Sequence, residues 1–364
     1  MPLQLQIIPH LLQFKFDART SRGAMQHHQV YYLKVSETGQ ESKYGIGECA
    51  PLPGLSPGHG PDFLQDLERQ VKDMNSWLKY NEVVSLASVI YRQELKKNPA
   101  LVFALETAWH DYLSPEEKVL FPGFFTAGKE GLPINGLVWM GDKHFMQEQI
   151  RKKLEEGYRC LKLKIGGLDF DTELALLQAI RKTAGAADLT IRLDANGAFQ
   201  PEQALPRLRQ LAVYDIHSIE QPIRQGQREA MAALASESPI PIALDEELIG
   251  LSDRAEKASL LAAIKPQYII LKPTLAGGMA ASAEWIALAE ESGIGWWITS
   301  ALESNIGLNA VSQFTARYPV QMEQGLGTGQ LYHNNIASPL MIRAGRLYYE
   351  QERGWDNSLW HPGA

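Results

Sequence analysis

The sequence predicts a parallel βα barrel preceded by a smaller α+β domain. Three observations carry that expectation. Short apolar runs ending in a charged residue recur down the second half of the chain: LKLKIGG holds Lys164, TIRLDANG Asp194, HSIEQP Glu220, PIALDEE Asp245 and YIILKP Lys272. Steps of 30, 26, 25 and 27 residues separate them, the length of one strand, one helix and two connections. From Ile134 onward candidate strands alternate with candidate helices, whereas the first 125 residues give strands first and helices afterwards.

The N-terminal elements come first. Leu3, Leu5 and Ile7 alternate with Gln4 and Gln6, which predicts a strand. A second strand fits Gln29–Val35 and a third Tyr44–Ile46, with Glu37–Lys43 as the turn of a meander. Asp62–Lys79 puts Phe63, Leu64, Leu67, Val71, Met74 and Leu78 on one helical face, and Ala100–Leu113 follows Pro99 as a nearly apolar helix. Residues 1–125 are therefore expected as an α+β capping domain, and the Gly/Pro-rich stretch Phe121–Pro133 as the linker.

The barrel is expected over 126–337. INGLVW is its first strand, followed by a helix over Asp142–Glu156. Strand–helix pairs then run Arg159–Ile165 with Phe170–Ala184, Thr190–Asp194 with Pro201–Leu211, and Ser218–Glu220 with Arg228–Leu234. They continue with Ile242–Asp245 and Arg254–Ala263, Tyr268–Leu271 and Ala280–Glu291, and Gly295–Thr299 and Ile306–Arg317. Val320–Glu323 is a candidate eighth strand. Such alternation implies a parallel sheet with right-handed crossovers, and eight strands close into a barrel. Leu340–Tyr349 alternates again, and 338–364 is expected to return to the first domain.

Composition bounds the function. With 45% hydrophobic and 21% charged residues and a net charge of −7, the chain has no bulk attraction for nucleic acid or anionic lipid. The opening LQLQIIPHLLQFKF alternates and lacks the unbroken apolar run of a signal peptide. No stretch approaches the roughly 20 apolar residues of a membrane span. Cys49 and Cys160 lie far apart in apolar contexts, as two buried thiols would. A cytoplasmic enzyme acting on a small molecule is the expectation, with neither nucleic acid nor membrane as partner.

Active sites of βα barrels sit at the C-terminal ends of the strands. Lys164 and Lys272 end the second and sixth strands, which face each other across the mouth. Asp194, Glu220 and Asp245 end the strands between them. Any one of these residues alone would pass for a surface group or a helix cap. All five at successive strand ends, in the order Lys–Asp–Glu–Asp–Lys, define a polar ring. Three carboxylates suit a hard cation such as Mg²⁺, with Mn²⁺ able to substitute. No His or Cys falls at a ligand position, which argues against Zn²⁺. Lys162 and Lys164 point to the same face of their strand. Mutual repulsion and desolvation are expected to lower their pKa values and make a lysine base available; alternatively, Lys162 balances the ligand carboxylates.

The K-x-K at Lys162–Lys164, DAN at Asp194–Asn196, EQP at Glu220–Pro222, DE at Asp245–Glu246 and KP at Lys272–Pro273 resemble the enolase superfamily, in its muconate-lactonizing-enzyme-like branch. The resemblance spans essentially the whole chain. It implies a modified TIM barrel, (β/α)7β, under an N-terminal capping domain. It also implies the superfamily's known chemistry, a Lys base with Mg²⁺ stabilising an ene-diolate. TSALESNIGLNA (Thr299–Ala310), GLGTG (Gly325–Gly329) and ECAPLPGLSPG (Glu48–Gly58) are similar to the o-succinylbenzoate synthase family. That implies Mg²⁺-dependent syn-dehydration of 2-succinyl-6-hydroxy-2,4-cyclohexadiene-1-carboxylate in menaquinone biosynthesis.

On this resemblance Lys164 is the base and then the acid, and Lys272 stays cationic beside the intermediate. Asn196 and Glu246 orient the metal ligands. Ser300 meets the succinyl carboxylate. Arg22 and Leu55, in capping-domain loops, are lid candidates, the alternatives being a solvated arginine and a packed leucine. N-succinylamino acid racemases carry the same lysines and ligands. Dipeptide epimerases share them but usually add an Asp-x-Asp where this chain reads GLGTGQ. A non-catalytic metal- or sugar-binding barrel needs neither lysine.

Overall fold

The structure, a computed structural model, describes residues 2–20, 23–80 and 97–360. Its N-terminal part is an antiparallel meander of β1 (Leu3–Thr20), β2 (Gly23–Glu37) and β3 (Gln40–Cys49). β1 runs far beyond the expected Ile7. It pairs with β2 from Leu3↔Glu37 to Thr20↔Gly23, with an irregularity between Gln13 and Ala18. Pro9 interrupts the sequence signal but is tolerated because β1 is the sheet's edge. The β2–β3 turn shrinks to Thr38–Gly39.

The helix Phe63–Tyr80 buries Leu67, Val71 and Met74 against Leu33 and Val35 of the sheet. The helix Pro99–Leu113 begins with Pro99 just inside an Asn98 cap, whose Oδ1 accepts from Leu101 N at 3.2 Å. It lies directly on β3. A Cβ on Gly47 would come within 1.8 Å of Ala104 O, so only glycine permits that approach.

Seven parallel strands follow: β5 (Gly136–Val138), β6 (Cys160–Lys164), β7 (Thr190–Asp194), β8 (Ile216–Glu220), β9 (Ile242–Leu244), β10 (Tyr268–Leu271) and β11 (Gly295–Ile298). They pair in sequence order. Gln324 and Gly325 close the ring through parallel bridges to Ile134 and Thr299. The closing element thus lies just past the expected Val320–Glu323, which is irregular. Gly325 is needed there, because a Cβ would sit 2.0 Å from Thr299 Oγ1. The (β/α)7β barrel is therefore present. Its helices cover the strands with apolar faces such as Leu176, Leu177 and Ile180, and Asp142, Asp169, Asp253 and Ser304 cap their N-termini.

The strands β12 (Leu340–Arg343) and β13 (Arg346–Tyr349) form an antiparallel hairpin. It pairs with β4 (Leu132–Pro133) at the entry to the barrel. Further on, the chain meets the N-terminal sheet: Trp360 stacks edge-on against Tyr32 at 5.2 Å, and its carbonyl accepts from Lys34 Nζ at 3.2 Å. Cys49 and Cys160 are free and buried. No helix among the described residues is long and apolar enough to cross a membrane.

Candidate active site

Strand register builds the ring. Lys164 pairs with Asp194 across β6–β7, and Asp194 with Glu220 across β7–β8. The three stand at one level on one face. Lys162 and Arg192 share the level below, two residues back along the same strands. Asp245 follows β9 directly and Lys272 follows β10. Asp194, Glu220 and Asp245 are all buried.

Each carboxylate carries a lysine. Lys164 Nζ donates to Asp194 Oδ2 at 3.0 Å and to Asn196 Oδ1 at 2.9 Å. Lys162 Nζ lies 3.1 Å from the same Asp194 oxygen and bonds Glu220 Oε2. Lys272 Nζ bonds Asp245 Oδ2. Asn196 holds a left-handed backbone at φ 44°, a conformation Asn tolerates, and donates from Nδ2 to Glu246 Oε1 at 3.2 Å. It thereby links Lys164 to Glu246.

The expected lowering of lysine pKa does not hold at Lys162. Burial pulls its pKa down, but Asp194, Glu220 and Asp245 outweigh burial and hold it well above the ordinary lysine range. Lys272 is also raised: burial opposes the charge, and Asp245 and Glu246 overcome it. Lys162, Lys164 and Lys272 together overcome burial at Asp194 and hold it far below the usual carboxylate range. Glu220 moves upward through burial, which its one bonded lysine does not offset. At Lys162 the carboxylates that end the neighbouring strands decide the direction.

A cavity of about 280 Å³ opens above the ring. Lys162, Lys164, Asp194, Asn196 and Lys272 form its floor, and Leu52, Leu55, Trp139 and Leu302 are among its apolar walls. Leu55 is thus brought to the site; Arg22 lies outside the described residues. Ser300 lines the cavity too, but its hydroxyl is engaged. It bonds Glu303 Oε2 and accepts from Thr328 Oγ1 at 2.8 Å and Leu302 N at 3.1 Å.

Sequence reasoning passed over Gln221 in the EQP motif. Its Oε1 accepts from Asp245 N at 3.2 Å and Glu247 N at 3.3 Å, which sets the turn that presents Asp245. It also passed over Glu303, inside the quoted TSALESN, and Glu48, the first residue of ECAPLPGLSPG. Burial pushes the Glu48 carboxyl up to about 7, against the pull of Ser304 and Gly307 donors.

The donor set fits a divalent cation. Three carboxylates converge on one side of the barrel mouth, and Glu220 Oε1 is buried without a hydrogen-bond partner among the described residues. Such an orphan oxygen costs free energy unless a cation or donor meets it. Among the described residues no three acidic, His or Cys side chains already stand at ligand spacing, and lysine ammoniums lie against the carboxylates.

With the site in view, its relatives can be placed. Residues 145–356 match the enolase C-terminal domain-like family. The chain is 46% identical over 357 residues to an o-succinylbenzoate synthase of Desulfotalea psychrophila, covering 92% of this chain and 96% of that one. The crystal structure of MenC from Desulfotalea psychrophila superposes with a TM-score of 0.82 at 43% identity, covering 96% of this chain and all of that one. An N-succinylamino acid racemase of Thermus thermophilus is 29% identical over 84% of this chain and 79% of its own. The chain belongs to the enolase superfamily. Membership carries with it the use of a divalent metal.

Proposed function

We infer that this chain is an o-succinylbenzoate synthase, a hydro-lyase that converts 2-succinyl-6-hydroxy-2,4-cyclohexadiene-1-carboxylate to 2-succinylbenzoate in menaquinone biosynthesis. The observation that carries the reading is one cavity reached by Lys164 and Lys272, beside three buried carboxylates, in a chain 46% identical to such a synthase. Asp194, Glu220 and Asp245 would hold the metal, which their all-oxygen donor set suits as Mg²⁺ or Mn²⁺. When bound it supplies electrostatic stabilisation for negative charge on the substrate carboxylate.

The chain's own residues do the rest. Lys164 takes the proton from the carbon bearing the carboxylate, and the electron pair moves onto that carboxylate as an ene-diolate. The ammonium so formed on Lys164 then gives its proton to the departing hydroxyl on the same face. The ring carbon–oxygen bond breaks, water leaves and the ring becomes aromatic. Lys272 stays cationic and faces the intermediate from across the cavity. Asn196, bonded to both Lys164 and Glu246, keeps the base aimed. Lys162 holds positive charge against Asp194 and Glu220. Leu55 shields the cavity, and the Ser300 segment receives the succinyl arm. Two buried, unpaired thiols fit a reducing, cytoplasmic location.

Racemisation of N-succinylamino acids needs an acid/base on each face, and both lysines are present. The test is therefore comparative. With Mg²⁺, kcat/KM for dehydration should exceed that for any N-succinylamino acid by at least ~100-fold, about 2.7 kcal/mol of transition-state discrimination. Faster racemisation than dehydration would overturn the synthase reading and leave the superfamily assignment standing.

A further inference from the structure

Among the buried glutamates outside the ring, Glu106, Glu48 and Glu303 bridge chain segments that flank the cavity, and the mechanism above uses none of the three. Glu106 lies in the helix Pro99–Leu113. Its carboxylate reaches across to the barrel and accepts from Met279 N and from Ala280 N, the latter at 3.2 Å. Those amides open the helix Gly278–Glu291, seven residues beyond Lys272. Orphan amides and the helix dipole favour a carboxylate there. Gly278 has φ 91°, and a Cβ on it would sit 2.3 Å from Glu106 Oε2.

Glu48, at the end of β3, does the same for the next helix. It accepts from Ser304 N at 2.7 Å, Ser304 Oγ at 2.6 Å and Gly307 N at 2.7 Å, at the start of the helix Asn305–Thr315. Glu303 joins the two loops. One oxygen accepts from Thr274 Oγ1, in the turn after Lys272; the other accepts from Ser300 Oγ and from Ala301 N at 2.8 Å. The path is continuous: Glu106, the Lys272 turn, Glu303, the Ser300 loop, Glu48. Both ends rest on the N-terminal region, and Gly47 fixes that region's own packing by pressing β3 onto the Glu106 helix.

We propose that Glu106, Glu303 and Glu48 are positioning residues that hold the Lys272 turn and the Ser300 loop in register with Lys164, so that the N-terminal region sets the geometry of one half of the active site. The proposal rests on the two-lysine reading of the cavity. It predicts an asymmetric effect. Lys164 is held by Asp194 and Asn196 on the other side of the ring, and none of the three glutamates touches it. Loss of a glutamate should therefore disturb chemistry at Lys272 and spare chemistry at Lys164.

The experiment follows α-proton exchange of the two enantiomers of an N-succinylamino acid in D₂O, with the Mg²⁺-loaded full chain. Each enantiomer turns its α-hydrogen to one lysine, so the ratio of rates reports on Lys272 relative to Lys164. Glu106→Gln, Glu303→Gln and Glu48→Gln keep side-chain shape. Thr274→Val removes only the Thr274–Glu303 bond, and it carries the test if a glutamine variant fails to fold. Exchange at the Lys272 face should fall at least ~10-fold in Glu303→Gln and Thr274→Val while the other face changes less than ~3-fold, the scale expected when a support for a reacting group is lost. Lys272→Ala is the reference. If it leaves the ratio unchanged, the two-lysine reading has failed, and the proposal with it. If it shifts the ratio but folded Thr274→Val and the folded glutamine variants lower both faces equally, or neither, the positioning role alone is overturned.

Discussion

Replacing Lys164 by alanine is the most direct test of the ring. On the proposed mechanism the base is lost, and with it the acid that assists departure of the hydroxyl. A positioned acid–base group contributes up to ~10⁴-fold. Because one lysine performs both transfers, kcat should drop by at least ~10⁴-fold, about 5.4 kcal/mol of barrier. The fold should survive. Breaking a buried ion pair costs about 3–5 kcal/mol when a charge is stranded. Asp194 is not stranded here, because Lys162 Nζ stays 3.1 Å from its Oδ2. The expected stability loss is therefore nearer ~1–3 kcal/mol.

The assay is steady-state dehydration with Mg²⁺, followed by the absorbance change as the diene becomes aromatic, beside urea unfolding of the same preparation. Lys272→Ala should also be severe, through loss of a cation rather than of a base. The arginine variants separate the two roles: Lys272→Arg should keep at least ~10-fold more dehydration than Lys164→Arg, since guanidinium can stabilise charge without moving a proton. A folded Lys164→Ala protein within ~10-fold of wild-type kcat would refute the assignment, as would equal tolerance of arginine at both positions.

Two further outcomes are expected. Chelation should abolish turnover, Mg²⁺ or Mn²⁺ should restore it, and Mg²⁺ at ~100 times its Kd should stabilise the fold by about 2.7 kcal/mol; full activity in rigorously metal-free protein would sink the carboxylate arc as a metal site. At the opposite end of the barrel, burial and then Arg192 push His217 down to about 4, where it stacks on Tyr268 at 5.0 Å. A lowered folded pKa favours the neutral ring, so this stability is present above about 6.5 and lost as pH falls toward 4. Discounted for partial exposure it amounts to about 1–2 kcal/mol, and His217→Phe should flatten the decline in urea-unfolding free energy between those pH values. Parallel pH profiles would count against that account.

Much of the barrel could be read in the sequence because its signal is local and repeated. Each strand is a buried apolar run and each polar terminus sits at the run's end, so Thr190–Asp194 and Tyr268–Leu271 match the observed strands residue for residue. Elements whose partners lie elsewhere were less legible. β1 extends to Thr20 only because β2 supplies a ladder for residues whose own alternation is broken at Pro9. Closure at Gln324–Gly325 depends on bridges to Ile134 and Thr299 and carries almost no strand pattern of its own. Glu106 shares a largely apolar helix with a single other acid, Asp111, and the amides it caps are more than 170 residues away.

The lysines show the same division more sharply. Spacing alone puts Lys162 and Lys164 on one face and argues that they repel. Whether repulsion decides their charge depends on what stands beside them, and that is a matter of register between strands. β7 and β8 pair so that Asp194 and Glu220 fall level with Lys164, and Lys162 reaches up to both carboxylates from the level below. A slip of one residue would turn Asp194 to the opposite face and leave two ammoniums facing each other. The charge of Lys162 thus depends on the pairing of the strands beside it, and a cation held by the carboxylates would change the fields of Lys162 and Lys272 together. If the carboxylates hold the metal as proposed, metal binding and the ionisation of Lys162 and Lys272 would be one coupled equilibrium, because the same oxygens would serve both.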